Sequence, residues 1–185
     1  MESKLIIENI IDAYKDAIDN DVKGKDSGET NKNRSKNFIY HITDNLKFLY
    51  NDNDIVVFSS SETNKAFKRN ELLYDINVCK INKLDSNTDI EYIEKSLVQI
   101  ESEFAKDTRE VVIDFSKLVC GNSPLKVMII SKVFNDKKFR KSLEQVAKSI
   151  KDELYLIELE HPEKWDTCDK ESYSVYKFDD EWIEI

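Results

Sequence analysis

The chain has 185 residues, with 40% hydrophobic and 10% aromatic side chains and a formal net charge of -9. That length and composition describe a single globular domain spanning 1–185, and they exclude a disordered or fibrous chain. No apolar run nears the roughly 20 residues that a membrane-crossing helix needs, and the acidic start M-E-S-K-L-I-I-E-N-I does not read as a signal peptide, so a cytoplasmic protein without a membrane partner is expected.

In chain order, Ile6, Ile7, Ile10, Ile11, Tyr14, Ala17 and Ile18 recur at i, i+3, i+4 and i+7, which predicts an amphipathic helix over 4–18. The stretch 20–34 holds two of the 3 glycines and almost no apolar side chains, and predicts a mobile loop. A second helix is expected over 35–50, with Phe38, Ile42, Leu46 and Leu49 on one face. The β-branched run I-V-V-F (55–58) predicts a buried strand. After a connection at 59–70, two further strands are expected at 71–81 and 96–104, separated by the polar stretch 83–91.

A helix over 106–120 follows, with Val111, Phe115, Leu118 and Val119 as its buried stripe and Asp107 or Thr108 as its cap; Gly121 and Pro124 end it. A strand at 126–133, a helix at 136–151, a strand at 154–159 and a terminal strand or hairpin after 172 complete the chain. This order predicts an α/β fold, a three-layer sandwich with a central mixed β-sheet flanked by helices, antiparallel first and parallel later.

Charge is unevenly placed. Residues 152–185 carry 12 of the 37 acids and 3 of the 28 bases, so the whole imbalance lies in these acidic C-terminal strands. Residues 126–151 carry eight bases against Asp136 and Glu144, either a basic surface or an ordinary solvated helix face. Cys79, Cys120 and Cys168 form no C-x-x-C pair and no zinc pattern with His41 and His161, so they read as reduced packing thiols.

The residues that stand out are carboxylates inside apolar strands: Asp75 in Y-D-I-N-V, and Glu101 and Glu103 in V-Q-I-E-S-E-F. Alternation places Gln99, Glu101 and Glu103 on one strand face and Val98 and Ile100 on the other. Buried carboxylates are costly unless a cation neutralises them. If the two strands are neighbours, the three acids converge into an oxygen-only site suited to a hard divalent ion such as magnesium or manganese. The other reading puts Glu101 and Glu103 on a solvent-facing edge strand, with Asp75 paired to a lysine.

This arrangement resembles the PD-(D/E)xK nuclease superfamily, whose restriction-endonuclease-like fold carries an Asp on one strand and an acid-x-Lys tripeptide on the next. Asp75 matches the first acid and Glu101 the second, while position 103 holds Glu where the family usually has Lys. Some restriction enzymes of the family have Glu at that position. I-E-S-E-F followed by D-F-S-K-L is similar to small bacterial members. The resemblance implies a Mg2+- or Mn2+-dependent DNA endonuclease, acting as a homodimer, with Asp75, Glu101 and Glu103 as ligands. Lys117, one turn from Asp114, would stand in for the missing base, and the basic helix 137–151 with Lys126 would contact phosphates. The absent motif lysine and the acidic C-terminus leave a second expectation, a non-catalytic immunity or regulatory protein docking onto a basic protein partner.

Overall fold

The computed structural model describes residues 2–65, 67–85, 90–132 and 137–185. The elements are α1 (Glu2–Asp19), α2 (Ser27–Leu49), β1 (Ile55–Ser59), β2 (Ile76–Lys83), β3 (Glu91–Glu103), α3 (Thr108–Val119), β4 (Leu125–Ser131), α4 (Lys137–Ala147), β5 (Glu153–Leu159), β6 (Tyr173–Asp179) and β7 (Glu181–Glu184). The strands form one 7-stranded sheet in sequential order. Pairing is antiparallel from β1 to β3, parallel from β3 through β4 to β5, and antiparallel again from β5 to β7. The expected change from antiparallel to parallel therefore falls at β3, the strand that carries the two glutamates.

Each strand face feeds a separate apolar layer. Val78, Ile100, Val127 and Ile157 meet α1 and α2 through Ile6, Ile10, Tyr14, Phe38 and Ile42. Met128, Ile130, Leu154 and Leu156 meet α3 and α4 through Val111, Phe115, Leu118 and Leu143. Because helices cover both faces, every residue of β4 is buried, as an uninterrupted apolar parallel strand requires. Trp165, just after a short turn at Pro162–Lys164, closes the first layer with its ring edge-on to Tyr14, Phe38 and Phe104.

Two sequence expectations are corrected here. The loop expected over 20–34 is helical from Ser27 onward. Asp26 caps the helix by accepting from the Glu29 N–H at 2.8 Å, and Glu29 reaches back to accept from the Lys25 N–H at 2.6 Å. The pair works like a capping box, except that the return bond goes to the residue before the cap. Arg34 then anchors the helix, donating through Nε and Nη2 to the Asp21 carboxylate at 2.6 and 2.8 Å and through Nη1 to the Pro162 carbonyl at 2.6 Å. The second correction is Val119, which lies on the exposed side of α3 instead of its buried stripe.

The charge segregation also resolves into contacts. Lys126 is 2% exposed, donating to Asp152 at 2.8 Å and to the Gly121 carbonyl at 3.0 Å, so it cannot reach a phosphate as expected. Arg140 on α4 pairs with the buried Glu158 on β5, and Glu184 adds to the negative field around Arg140. The basic segment and the acidic C-terminal strands thus lie against each other and partly cancel. All three cysteines are free thiols, with Cys79 buried. No helix among the described residues is long and apolar enough to cross a membrane.

Candidate functional site

The site forms where the antiparallel and parallel parts of the sheet meet, at the C-terminal end of β3 and the start of β2. Register fixes the placement. Ile76 is paired with Ile100, so Asp75, one residue before β2, arrives beside Glu101. Asp75 therefore sits in the bend leading into β2 and not within a strand beginning at 71. Its carbonyl accepts from the Ser60 N–H at 3.0 Å, which ties this bend to the end of β1. The Tyr74 hydroxyl donates to the Lys117 carbonyl at 3.3 Å and ties it to α3 as well.

Glu101 is 1% exposed, and its Oε2 faces the Lys117 ammonium at 3.5 Å. Its Oε1 is buried with no hydrogen-bond partner among the described residues. Lys117 makes a closer ion pair, 2.7 Å, with Asp114 one turn earlier on α3. Glu103 accepts from the Ala105 N–H at 2.5 Å through Oε1, and its carboxyl lies beside that of Asp114. Asp75 accepts through Oδ2 from both the Ser102 N–H at 2.9 Å and the Ser102 hydroxyl at 2.7 Å.

The four residues expected from the sequence are thus brought together, and the solvent-facing reading of the glutamates does not hold for Glu101. Asp114 and Ser102 were missed as members of the cluster. Asp114 was visible as the i, i+3 neighbour of Lys117. Ser102 was hidden by strand alternation, which assigns it to the opposite face.

One ammonium stands against four carboxyl groups, and the protonation equilibria follow from that imbalance. Burial pushes the Glu101 carboxyl up to about 8, with repulsion from Asp75 adding to it and Lys117 opposing. Burial also raises Asp75 despite the two Ser102 bonds, and raises Glu103 together with the Asp114 contact. Burial pulls Lys117 down, but its pairing with Asp114 and Glu101 outweighs this and holds the ammonium above its ordinary value. The excess negative charge calls either for protons or for a further cation.

A divalent cation fits the donor set in kind: hard carboxylate oxygens, one of them an orphaned buried Glu101 oxygen. Among the described residues, however, no three His, Cys, Asp or Glu side chains stand as a ready-formed metal cage. One oxygen of each of two candidate ligands is engaged within the chain, Asp75 Oδ2 by Ser102 and Glu103 Oε1 by Ala105. Beside the cluster opens a cleft of about 790 Å³, with Asp75, Ser102 and Glu103 on one wall and α2 on the other. The basic helix α4 packs on the opposite layer, against α3 and β7. Comparison with protein-family models, with curated proteins and with solved structures found no match to this chain.

Proposed function

We propose that the chain is a divalent-metal-dependent phosphodiesterase acting on DNA, an endonuclease built on a restriction-endonuclease-like sandwich. The observation that carries this reading is the buried Glu101, with an unpartnered oxygen, grouped with Asp75, Asp114 and Lys117, while Asp75 and Glu103 of the same cluster line an open cleft. Helices on both faces of a sheet that is antiparallel up to β3 and parallel after it support the fold assignment. Asp75, Glu101 and Glu103 would hold Mg2+ or Mn2+. When bound, such an ion lowers the pKa of water and stabilises charge on a phosphate.

The chain's own residues then divide the remaining work. Glu103 borders the cleft, where it is placed to take a proton from water, so it is the candidate general base. Lys117 stays an ammonium, which argues against the base role expected from the sequence. Its contribution is to hold Glu101 and Asp114 in place and balance part of their charge. Ser102 fixes the rotamer of Asp75.

Isothermal calorimetry with Mg2+ and Mn2+, followed by cleavage assays on DNA, tests the proposal. Wild type should bind the ions and cleave, and Asp75→Ala and Glu101→Gln should lose both properties. A wild-type protein that binds neither ion would overturn it.

A further inference from the structure

The wall of the cleft that faces the carboxylates has its own chemistry. Asn33, Lys36, Asn37 and Tyr40 fall at i, i+3, i+4 and i+7 on α2, so they form one stripe along the helix, with Lys32 beside it. The opposite stripe, Arg34, Phe38 and Ile42, is buried and fixes which way this face points. The cations flanking this region are committed to carboxylates: Arg34 to Asp21, Lys47 to Glu62 and Lys106 to Glu163. Lys32 and Lys36 have no ion pair among the described residues. Two uncommitted ammonium groups thus face Asp75 and Glu103 across the cleft.

A polyanion brought to a carboxylate cluster is repelled unless cations on the opposite wall hold it there. Tyr40 is 47% exposed at the end of the stripe; its hydroxyl bonds to Asp44 and its ring meets that of His41 edge to face at 5.8 Å, so the ring is held in place with part of its surface still exposed. An aromatic ring above a phosphate-binding wall is a stacking platform, available only to bases that are not already paired. The volume, about 790 Å³, suits a few nucleotides of one strand, whereas a duplex would have to lie across the mouth.

We propose that this face of α2 seats a single unpaired strand of nucleic acid, with Lys32 and Lys36 on successive phosphates and Tyr40 stacked on a base. The inference rests on the phosphodiesterase reading of the same cleft and narrows its substrate to single-stranded or locally opened segments. It also replaces α4 as the phosphate-contacting surface.

Fluorescence anisotropy of a labelled single strand of about 15 nucleotides, and of a hairpin duplex, tests this in buffer with chelator so that no cleavage occurs. Wild type should bind the single strand more tightly than the duplex. The double variant Lys32→Glu/Lys36→Glu should bind at least about tenfold more weakly, and its log affinity should fall with log salt about 1.4 less steeply, at roughly 0.7 per single-strand phosphate. Tyr40→Ala should lose about tenfold. The exposed pair Lys148→Glu/Lys151→Glu, on the far layer, should match wild type. Unchanged binding by the Lys32/Lys36 variant, no binding by wild type, or tighter binding of the duplex would each overturn the inference. Mn2+ calorimetry on the same proteins keeps the two ideas apart. Retained ion binding with lost strand binding locates the defect in the α2 wall, whereas absent ion binding in wild type defeats the phosphodiesterase reading itself.

Discussion

Replacing Glu101 with Gln should change how stability depends on pH. In the folded chain the Glu101 carboxyl is raised from 4.5 to about 8. The folded state therefore holds a proton that the unfolded state has released, and stability falls as pH rises between those two values. At about 1.4 kcal/mol per pH unit the loss amounts to at most about 5 kcal/mol, a large share of the roughly 5–15 kcal/mol that keeps a domain folded. Gln keeps the shape and an oxygen for Lys117 but cannot ionise, so the variant should lack this loss. Asp75 and Glu103 remain in both proteins and cancel, to first order, in the difference. Urea unfolding from pH 4 to 9, with chelator, should show the variant gaining on wild type progressively up to about pH 8. The corresponding thermal midpoints should diverge by on the order of 10–20 °C, at about 2–4 °C per kcal/mol. Parallel pH profiles for the two proteins would refute the burial and charge assignment of Glu101.

The remaining predictions concern the surroundings of the site. Lys117→Met removes the cation that opposes the rise at Glu101; the stability loss should then move to higher pH, and an unmoved profile in the same titration would show that the ammonium does not act on Glu101. Arg34→Ala leaves Asp21 without its bidentate partner and should cost about 3–5 kcal/mol in urea unfolding, whereas a cost below about 1 kcal/mol would mean the pair is not formed. Asp26→Ala removes the cap of α2 and should cost about 1 kcal/mol, read by the same method.

Much of the fold was legible because its strands are written in β-branched runs and its helices in clear apolar stripes. The switch at β3 was legible too, since a loop-linked strand pair precedes it and a helix intervenes before the next strand. The start of α2 was not, because its first turns, Ser27–Lys32, hold no apolar side chain and are stabilised by the Asp26 cap, the Glu29 bond to Lys25 and the Arg34–Asp21 pair. The D-x-x-E spacing carried that signal, but the glycines around it read as a loop.

At the site, the placement of Glu101 followed from its apolar neighbours, and Asp75 and Lys117 from their position in the chain order. The engagement of Asp75 by Ser102 depends on where the bend before β2 sits, which no local pattern encodes. Lys126 looked like a phosphate ligand because its burial depends on facing Gln99 in the sheet and on Asp152 arriving from beyond α4. Sequence spacing between 126 and 152 does not reveal that contact.

The most direct test of a divalent-cation site at this cluster is Mn2+ calorimetry at pH 7 in two buffers of different ionisation enthalpy. With Glu101 titrating at about 8, most molecules at pH 7 carry its proton, and ion binding must expel it. Binding should therefore release about one proton, and Glu101→Gln should abolish the ion binding together with the release. No detectable Mn2+ binding, or binding with no proton exchanged, would contradict the site proposed for Asp75, Glu101 and Glu103.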